Sequence, residues 1–408
     1  MESYQFILDV AVILIFTKTL GLISKKFNMP QVVGALLAGL ILGPAFLGVI
    51  KDADFIKSVA EIGVIILMFC AGLETDINGL KKCGKASFVI AMCGVLVPLA
   101  GGFAIAYIMT DSSIIQDVFL GVILTATSVS ITVETLRELG KLKSKTANAI
   151  LGAAIIDDIL GIIGLTIITS LADDSVKIGI VMLKILGFFV FVAAAGVFAY
   201  LVYNKFKDKF VEKRHRYSIL ALAACLLMSY CAEYFFGVAD ITGAFFAGLI
   251  IASTERTSYI GSKFDVLSYL FFSPMFFASI GLQVELPKMS ASIILFSILL
   301  TIVAMITKVV GCGVGALACG YNMKRSLRIG IGMISRGEVA LIVADKGAKV
   351  GLIHQDLMGP VVIVVIATTI ITPLLLKLSY KTNPVPPQDI QESHYEGLEQ
   401  IAKHRDTY

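Results

Sequence analysis

Stretches of about twenty apolar residues recur thirteen times along this chain, near residues 4–24, 30–50, 55–73, 86–109, 114–136, 146–171, 177–203, 216–236, 239–254, 266–283, 289–318, 326–344 and 356–378. As a helix, each is long enough to cross the ~30 Å of hydrocarbon in a bilayer. Lipid offers backbone groups no hydrogen-bond partners, so such stretches must satisfy their amides internally, as helices do. The fold class is therefore an all-α polytopic membrane protein of about 13 transmembrane helices. Composition agrees: 57% of the 408 residues are hydrophobic and 16% charged, against about 25% charged in a soluble domain. A net charge of +4, with no basic stretch interleaved with aromatics, excludes a nucleic-acid partner. The seven cysteines form no C-x-x-C pair and read as small apolar helix residues. The four histidines (215, 354, 394 and 404) fall in loops or in the tail, which leaves none for a metal centre at mid-membrane.

Loop charge orients the spans. Twenty-four lysines and arginines lie on one alternate set of loops and the C-terminal tail, including Lys81, Lys82, Lys85, Arg137, Lys141 and the run Lys205 to Arg216. The other set carries six: Lys51, Lys57, Lys177, Lys288, Lys346 and Lys349. Because basic loops stay in the cytoplasm, the N-terminus is expected outside and the C-terminus in the cytoplasm of an inner membrane. Glu2 stands where a signal peptide would carry basic residues, and no small-residue cleavage site follows the first span, so that span is read as a membrane helix. Residues 381–408 form a polar tail with Pro384, Pro386 and Pro387, read as a short flexible cytoplasmic segment.

The spans repeat. Val33-Gly-Ala-Leu-Leu-Ala-Gly-Leu-Ile-Leu42 matches Thr242-Gly-Ala-Phe-Phe-Ala-Gly-Leu-Ile-Ile251, and Met68-Phe-Cys-Ala-Gly-Leu-Glu74 is echoed by Met275-Phe-Phe-Ala-Ser-Ile-Gly-Leu-Gln283. Spans one to six then correspond to eight to thirteen, joined by a linker helix. Seven crossings separate the copies, and an odd displacement inverts the second copy in the bilayer. Inverted six-helix repeats are typical of secondary transporters, which bind substrate at the midplane on interrupted helices.

A charge inside a transmembrane segment is costly and marks function by default. Asp157 and Asp158, in Ala153-Ala-Ile-Ile-Asp-Asp-Ile-Leu-Gly161, sit roughly 17 Å along their helix at ~1.5 Å per residue, near the bilayer centre. Two unpaired anions so close would not both stay ionised. One needs a cation, and Lys308 is the only mid-membrane lysine available. Span five carries Leu124-Thr-Ala-Thr-Ser-Val-Ser-Ile-Thr132, and its counterpart reads Gly330-Ile-Gly-Met-Ile-Ser-Arg-Gly-Glu-Val-Ala340. Both are expected to unwind, placing helix ends and carbonyls as hard oxygen ligands beside the carboxylates; the alternative is that their hydroxyls bond back to i−4 carbonyls in continuous helices. Arg336 and Glu338 are expected to form an internal, structural or modulatory ion pair.

These residues resemble the cation–proton antiporter superfamily, in its second branch of bacterial sodium/proton and potassium/proton exchangers. Four features carry the likeness: Met29-Pro-Gln-Val-Val-Gly-Ala-Leu-Leu-Ala-Gly-Leu-Ile-Leu-Gly-Pro44, the Asp157-Asp158 pair, Lys308, and Gly332-Met-Ile-Ser-Arg-Gly-Glu-Val339. The resemblance implies a homodimer with a transmembrane antiporter domain over residues 1–380. Within it, a core (86–171 and 289–378) moves against a dimer scaffold (1–73 and 177–283). It implies Asp158 as the principal Na⁺ ligand, Asp157 paired with Lys308 and sharing the ion, and Thr127 and Ser128 coordinating at the helix crossing. No cofactor is implied beyond the transported ions. Many family members have Pro where this chain has Ser335, which predicts a softer bend. Potassium exchangers of the branch often add a nucleotide-binding domain, which this chain lacks, and tend to have Gln-Asp rather than Asp-Asp. Both departures favour sodium.

The function expected is therefore exchange of Na⁺, and of Li⁺, for H⁺ by alternating access, with cation and proton competing for one mid-membrane site. Activity would rise toward alkaline pH, and two protons per cation would make it electrogenic. The nearest rival is a K⁺/H⁺ antiporter on the same scaffold. An intramembrane Mg²⁺-dependent prenyltransferase also uses Asp pairs, but it needs a second Asp-rich cluster that Asp173 and Asp174, at the outer surface, do not supply. The chain is read as a transporter and not an enzyme.

Overall fold

The computed structural model describes residues 4–27, 29–50, 54–110, 112–172, 178–206, 214–253, 257–284, 290–349, 351–353 and 357–382, so the expected tail lies almost wholly outside the described residues. All regular structure among them is helical. In chain order the helices are α1 (Gln5–Lys26), α2 (Gln31–Leu42), α3 (Asp54–Glu74), α4 (Ile77–Met109), α5 (Ile114–Ile123), α6 (Val129–Glu138), α7 (Lys145–Ala172), α8 (Ile178–Phe206), α9 (Arg214–Phe236), α10 (Asp240–Ala252), α11 (Thr257–Leu267), α12 (Ser273–Leu282), α13 (Ala291–Ala318), α14 (Met323–Gly332), α15 (Glu338–Lys349) and α16 (Met358–Thr382). Nine helices among the described residues, counting α11 through α12 as one, are long and apolar enough to cross a membrane; α2, α5 and α10 are shorter apolar helices.

Local chemistry sets many of the boundaries. α4 starts nine residues before the expected span at 86, because the Asp76 carboxylate accepts from the backbone N–H groups of Asn78 (3.0 Å) and Gly79 (2.9 Å) and opens the helix there. A capping box of Ser113 and Gln116 opens α5, and the Asn322 side chain caps α14 at 2.9 Å. Gly140 (φ 64°) and Gly320 (φ 85°) end α6 and α13 in the left-handed region that only glycine enters cheaply. Between α11 and α12 a π-helical turn spans Ser268–Phe272. It lies just before Pro274, which has no N–H to continue the i→i−4 ladder.

Two helix pairs pack at backbone distance. α2 crosses α12 where Gly39 meets Ala278 and Gly281 meets Leu36 and Leu40; α3 crosses α10 where Gly72 meets Phe245 and Gly248 meets Phe69. A Cβ at Gly39, Gly72 or Gly248 would fall inside van der Waals contact of a carbonyl oxygen opposite. Such small-residue seams are how helices associate without a hydrophobic drive between them. α1 packs on α2 and α9 on α10, while α4 and α13 pack on each other and on α7, α5, α14 and α16.

Candidate ion-binding site

Spans five and twelve are fully broken. The backbone leaves helix over residues 124–128 between α5 and α6, and over 333–337 between α14 and α15. The breaks are stitched to each other: the Ser128 N–H donates to the Ser335 carbonyl at 2.8 Å, and the Ser335 hydroxyl donates to the Ser128 carbonyl at 2.6 Å. The Thr132 hydroxyl reaches the Gly332 carbonyl at 2.6 Å. At Ser335 the helix unwinds, and its hydroxyl gives the crossing a bond that proline could not make.

Unwinding strands carbonyls at the C-terminal ends of α5 and α14, where helix dipoles concentrate negative charge. Two buried cations answer it. Arg336 donates through Nη1 to the carbonyls of Met333 (3.2 Å) and Ile334 (2.6 Å), and through Nη2 to those of Leu124 (2.7 Å) and Ala304 (3.4 Å). It is completely buried, and its own backbone is held by Thr368 and Thr369 of α16. The expectation of an Arg336–Glu338 pair falls on a side chain outside the described residues, since that of Glu338 is among those not described. Arg336 itself serves as a shared C-cap for two half-helices.

Lys308 is the second cation, also fully buried. Its ammonium spends its donors on the Gly94 carbonyl (2.8 Å), the Thr125 carbonyl (2.9 Å) and the Asp157 carboxylate (3.0 and 3.1 Å). The first of these has a cause in the sequence. Pro98 lies inside α4, and a proline leaves the carbonyl four residues earlier without its helical donor. That carbonyl belongs to Gly94, and Lys308 takes the vacant place. Asp157 is 2% exposed.

Asp158, one position on, is half-buried and lines a small cleft. One wall is Val129 of α6 with Leu151 and Ile155 of α7; the other is Met68 of α3 with Ile241, Thr242 and Phe245 of α10. Val129 is the first residue of α6, so Asp158 shares its cleft with a positive helix terminus, a favourable setting for a carboxylate. Thr127 and Ser128 are both buried in the break; the Thr127 hydroxyl donates to the Thr125 carbonyl at 3.4 Å and Ser128 Oγ lies 3.2 Å from Ser130 Oγ. The structure therefore joins Asp157 to Lys308 and Ser128 to Ser335, and sets Asp158 apart on the cleft. It adds Gly94, Thr125, Thr132 and Ser335, of which Pro98 was the only signal that the sequence carried for Gly94.

Below the cleft, along α3 and α6, Arg137 binds Glu74 through Nε (3.0 Å) and Nη2 (2.7 Å), and Asp265 at 3.2 Å. Its neighbour Glu138 accepts from the first free amides of α2, Gln31 at 2.8 Å and Val32 at 3.1 Å. Two consecutive side chains of α6 thus hold α3, α11 and α2.

Known proteins share this architecture. Residues 11–378 match the family described as sodium/hydrogen exchanger, transmembrane. The chain is 39% identical over 385 residues to the Na⁺/H⁺-K⁺ antiporter GerN of Bacillus cereus, covering 93% of this chain and 97% of the relative. To the Na⁺/H⁺ antiporter of Enterococcus hirae it is 37% identical over 385 residues, covering 91% and 97%. Among solved structures, the sodium proton antiporter MjNhaP1 of Methanocaldococcus jannaschii superimposes with a TM-score of 0.74 at 18% identity, over 95% of this chain and all of that one. A multi-pass membrane transporter rather than an enzyme, the chain belongs to the transmembrane sodium/hydrogen exchanger family.

Proposed function

We propose that this protein exchanges Na⁺, and Li⁺, for H⁺ by alternating access at the Asp157–Asp158 site. The observation that carries the reading is the division of labour between adjacent carboxylates. Asp157 is sealed against Lys308, whereas Asp158 borders a cleft. A proton and a cation compete for Asp158, so neither can cross while the other holds the site, and exchange is obligatory without contact between them. Asp157 shares the ion when it lets go of Lys308, which gives up its proton in that state and regains it as the pair re-forms, so that it carries the second proton on the return leg and makes the cycle electrogenic; Thr127 and Ser128 add oxygen ligands at the crossing.

The chain crosses the bilayer thirteen times, with its N-terminus outside and its C-terminus in the cytoplasm, and works as a homodimer. Spans one to six and eight to thirteen are inverted copies. The packing supports this: α2 lies on α12 as α10 lies on α3, α4 lies on α5 and α7 as α13 lies on α14 and α16, and α4 meets α13 at the axis. The core of residues 86–171 and 289–378 moves against the scaffold of 1–73 and 177–283. Arg336, with Glu338 two positions on, stabilises the crossing. The name of the GerN relative also includes potassium, which keeps K⁺ as the second reading. In proteoliposomes with an internal pH dye, Na⁺ and Li⁺ should drive proton flux well above K⁺, and Asp158→Asn should abolish it. Sodium-driven flux in that variant equal to wild type would reject the site.

A further inference from the structure

Six of the eight side chains lining the Asp158 cleft are hydrocarbon or thioether; the seventh is Asp158 and the eighth is Thr242. Thr242 sits in the first turn of α10 and is 3% exposed. Membrane threonines usually donate to a carbonyl one turn back, as Thr135, Thr166 and Thr372 do here. The Thr242 hydroxyl has no hydrogen-bond partner among the described residues, although its backbone N–H is bonded to the Ala239 carbonyl at 2.9 Å. Its free lone pairs instead belong to a cleft whose other polar group is a carboxylate. The matched position in the first motif copy is Val33, nearly the same shape without the oxygen.

We infer that Thr242 is a ligand-supplying residue for the transported monovalent cation, giving a neutral hard oxygen from the α10 wall while Asp158 supplies the charge from the α7 wall. This deepens the proposed function and rests on Asp158 as the cation site. Since α10 lies in the scaffold under that reading, the hydroxyl serves the ion only in the orientation seen here, and the core leaves it behind when it moves. Loss of the oxygen then weakens cation capture from one side without touching the proton site.

The test uses the full-length protein in proteoliposomes and reads the Na⁺ concentration for half-maximal proton flux. Thr242→Val keeps the shape and removes the oxygen. It should raise half-saturating Na⁺ about 3- to 10-fold, the equivalent of one net hydrogen-bond-sized interaction, with the maximal rate at saturating Na⁺ close to that of wild type. Thr242→Ser should restore the wild-type value, and Thr242→Ala provides a second hydroxyl-free variant if the valine form is poorly produced. Unchanged half-saturation in the Val and Ala variants, or an equal rise in the Ser variant, overturns the assignment. Those results with Asp158→Asn inactive reject Thr242 alone; an active Asp158→Asn rejects the site on which the inference rests.

Discussion

Lys308 shows how one buried charge is made tolerable. An ammonium without water needs three acceptors and a counter-charge; a proline-freed carbonyl, an unwound-segment carbonyl and Asp157 provide them. Removing one member of such a pair strands the other, at a cost of about 3–5 kcal/mol, whereas removing both is far milder. Lys308→Ala should therefore lower the thermal stability of the detergent-solubilised protein markedly, and the Asp157→Asn, Lys308→Ala double variant should recover at least half of that loss. Additive losses would mean that the two do not act as a pair. Pro98→Ala tests the third acceptor. The new N–H would claim the Gly94 carbonyl, so the variant should shift the pH profile of transport while α4 gains a helical bond. An unaltered profile in a stable protein would show that Lys308 does not depend on that carbonyl. The pairing of an aspartate with Lys308 was legible in the sequence because charges at mid-membrane are few. The Arg336 partners were not, because they are backbone carbonyls that become neighbours only when two broken helices cross.

At the level of elements, the half-helices are held by one guanidinium. Arg336 bonds carbonyls at the ends of α5 and α14 and one on α13, and bonds to a charged donor are worth about 1.5–3 kcal/mol each. Lysine has a point charge and no planar fork, so it cannot serve both ends at once. Arg336→Lys should accordingly lose both stability and transport. A variant with wild-type melting would mean that the crossing holds without the shared cap. Sequence reading found where the helices break, from hydroxyls and glycines clustered in two spans. It could not locate the last turn of α6 as a junction, because Glu138 and Arg137 look like ordinary loop charges until α2, α3 and α11 are placed beside them. Those contacts bridge parts that move relative to each other in the proposed cycle, and Arg137 is mostly buried among the carboxylates of Glu74, Glu134 and Asp265, so its loss leaves part-buried charge unpaired. Arg137→Ala should therefore lower the melting temperature and change the maximal transport rate, with little change in half-saturating Na⁺; an unchanged rate would make the junction a passive contact.

Over the whole molecule, the glycine motifs that match each other in the sequence form the seams between α2 and α12 and between α3 and α10. Two such seams flank a bundle built on α4 and α13, in which the carboxylates, Lys308 and Arg336 all reside. A charged site buried in that bundle and carried as a unit must move its net charge through the field of the membrane. If two protons return for each Na⁺, one elementary charge crosses per cycle, and 100 mV contributes about 2.3 kcal/mol, close to a fiftyfold change in the Na⁺ gradient at which flux vanishes. Proteoliposomes clamped with valinomycin at a series of K⁺ gradients should show that null point moving with potential in the wild type. The second proton is assigned to the Lys308–Asp157 pair, so Lys308→Ala, where it folds, should exchange one for one and hold its null point fixed across the same series. A wild-type null point insensitive to potential would reject two-proton exchange, and a Lys308→Ala null point that still moves would place the second proton elsewhere.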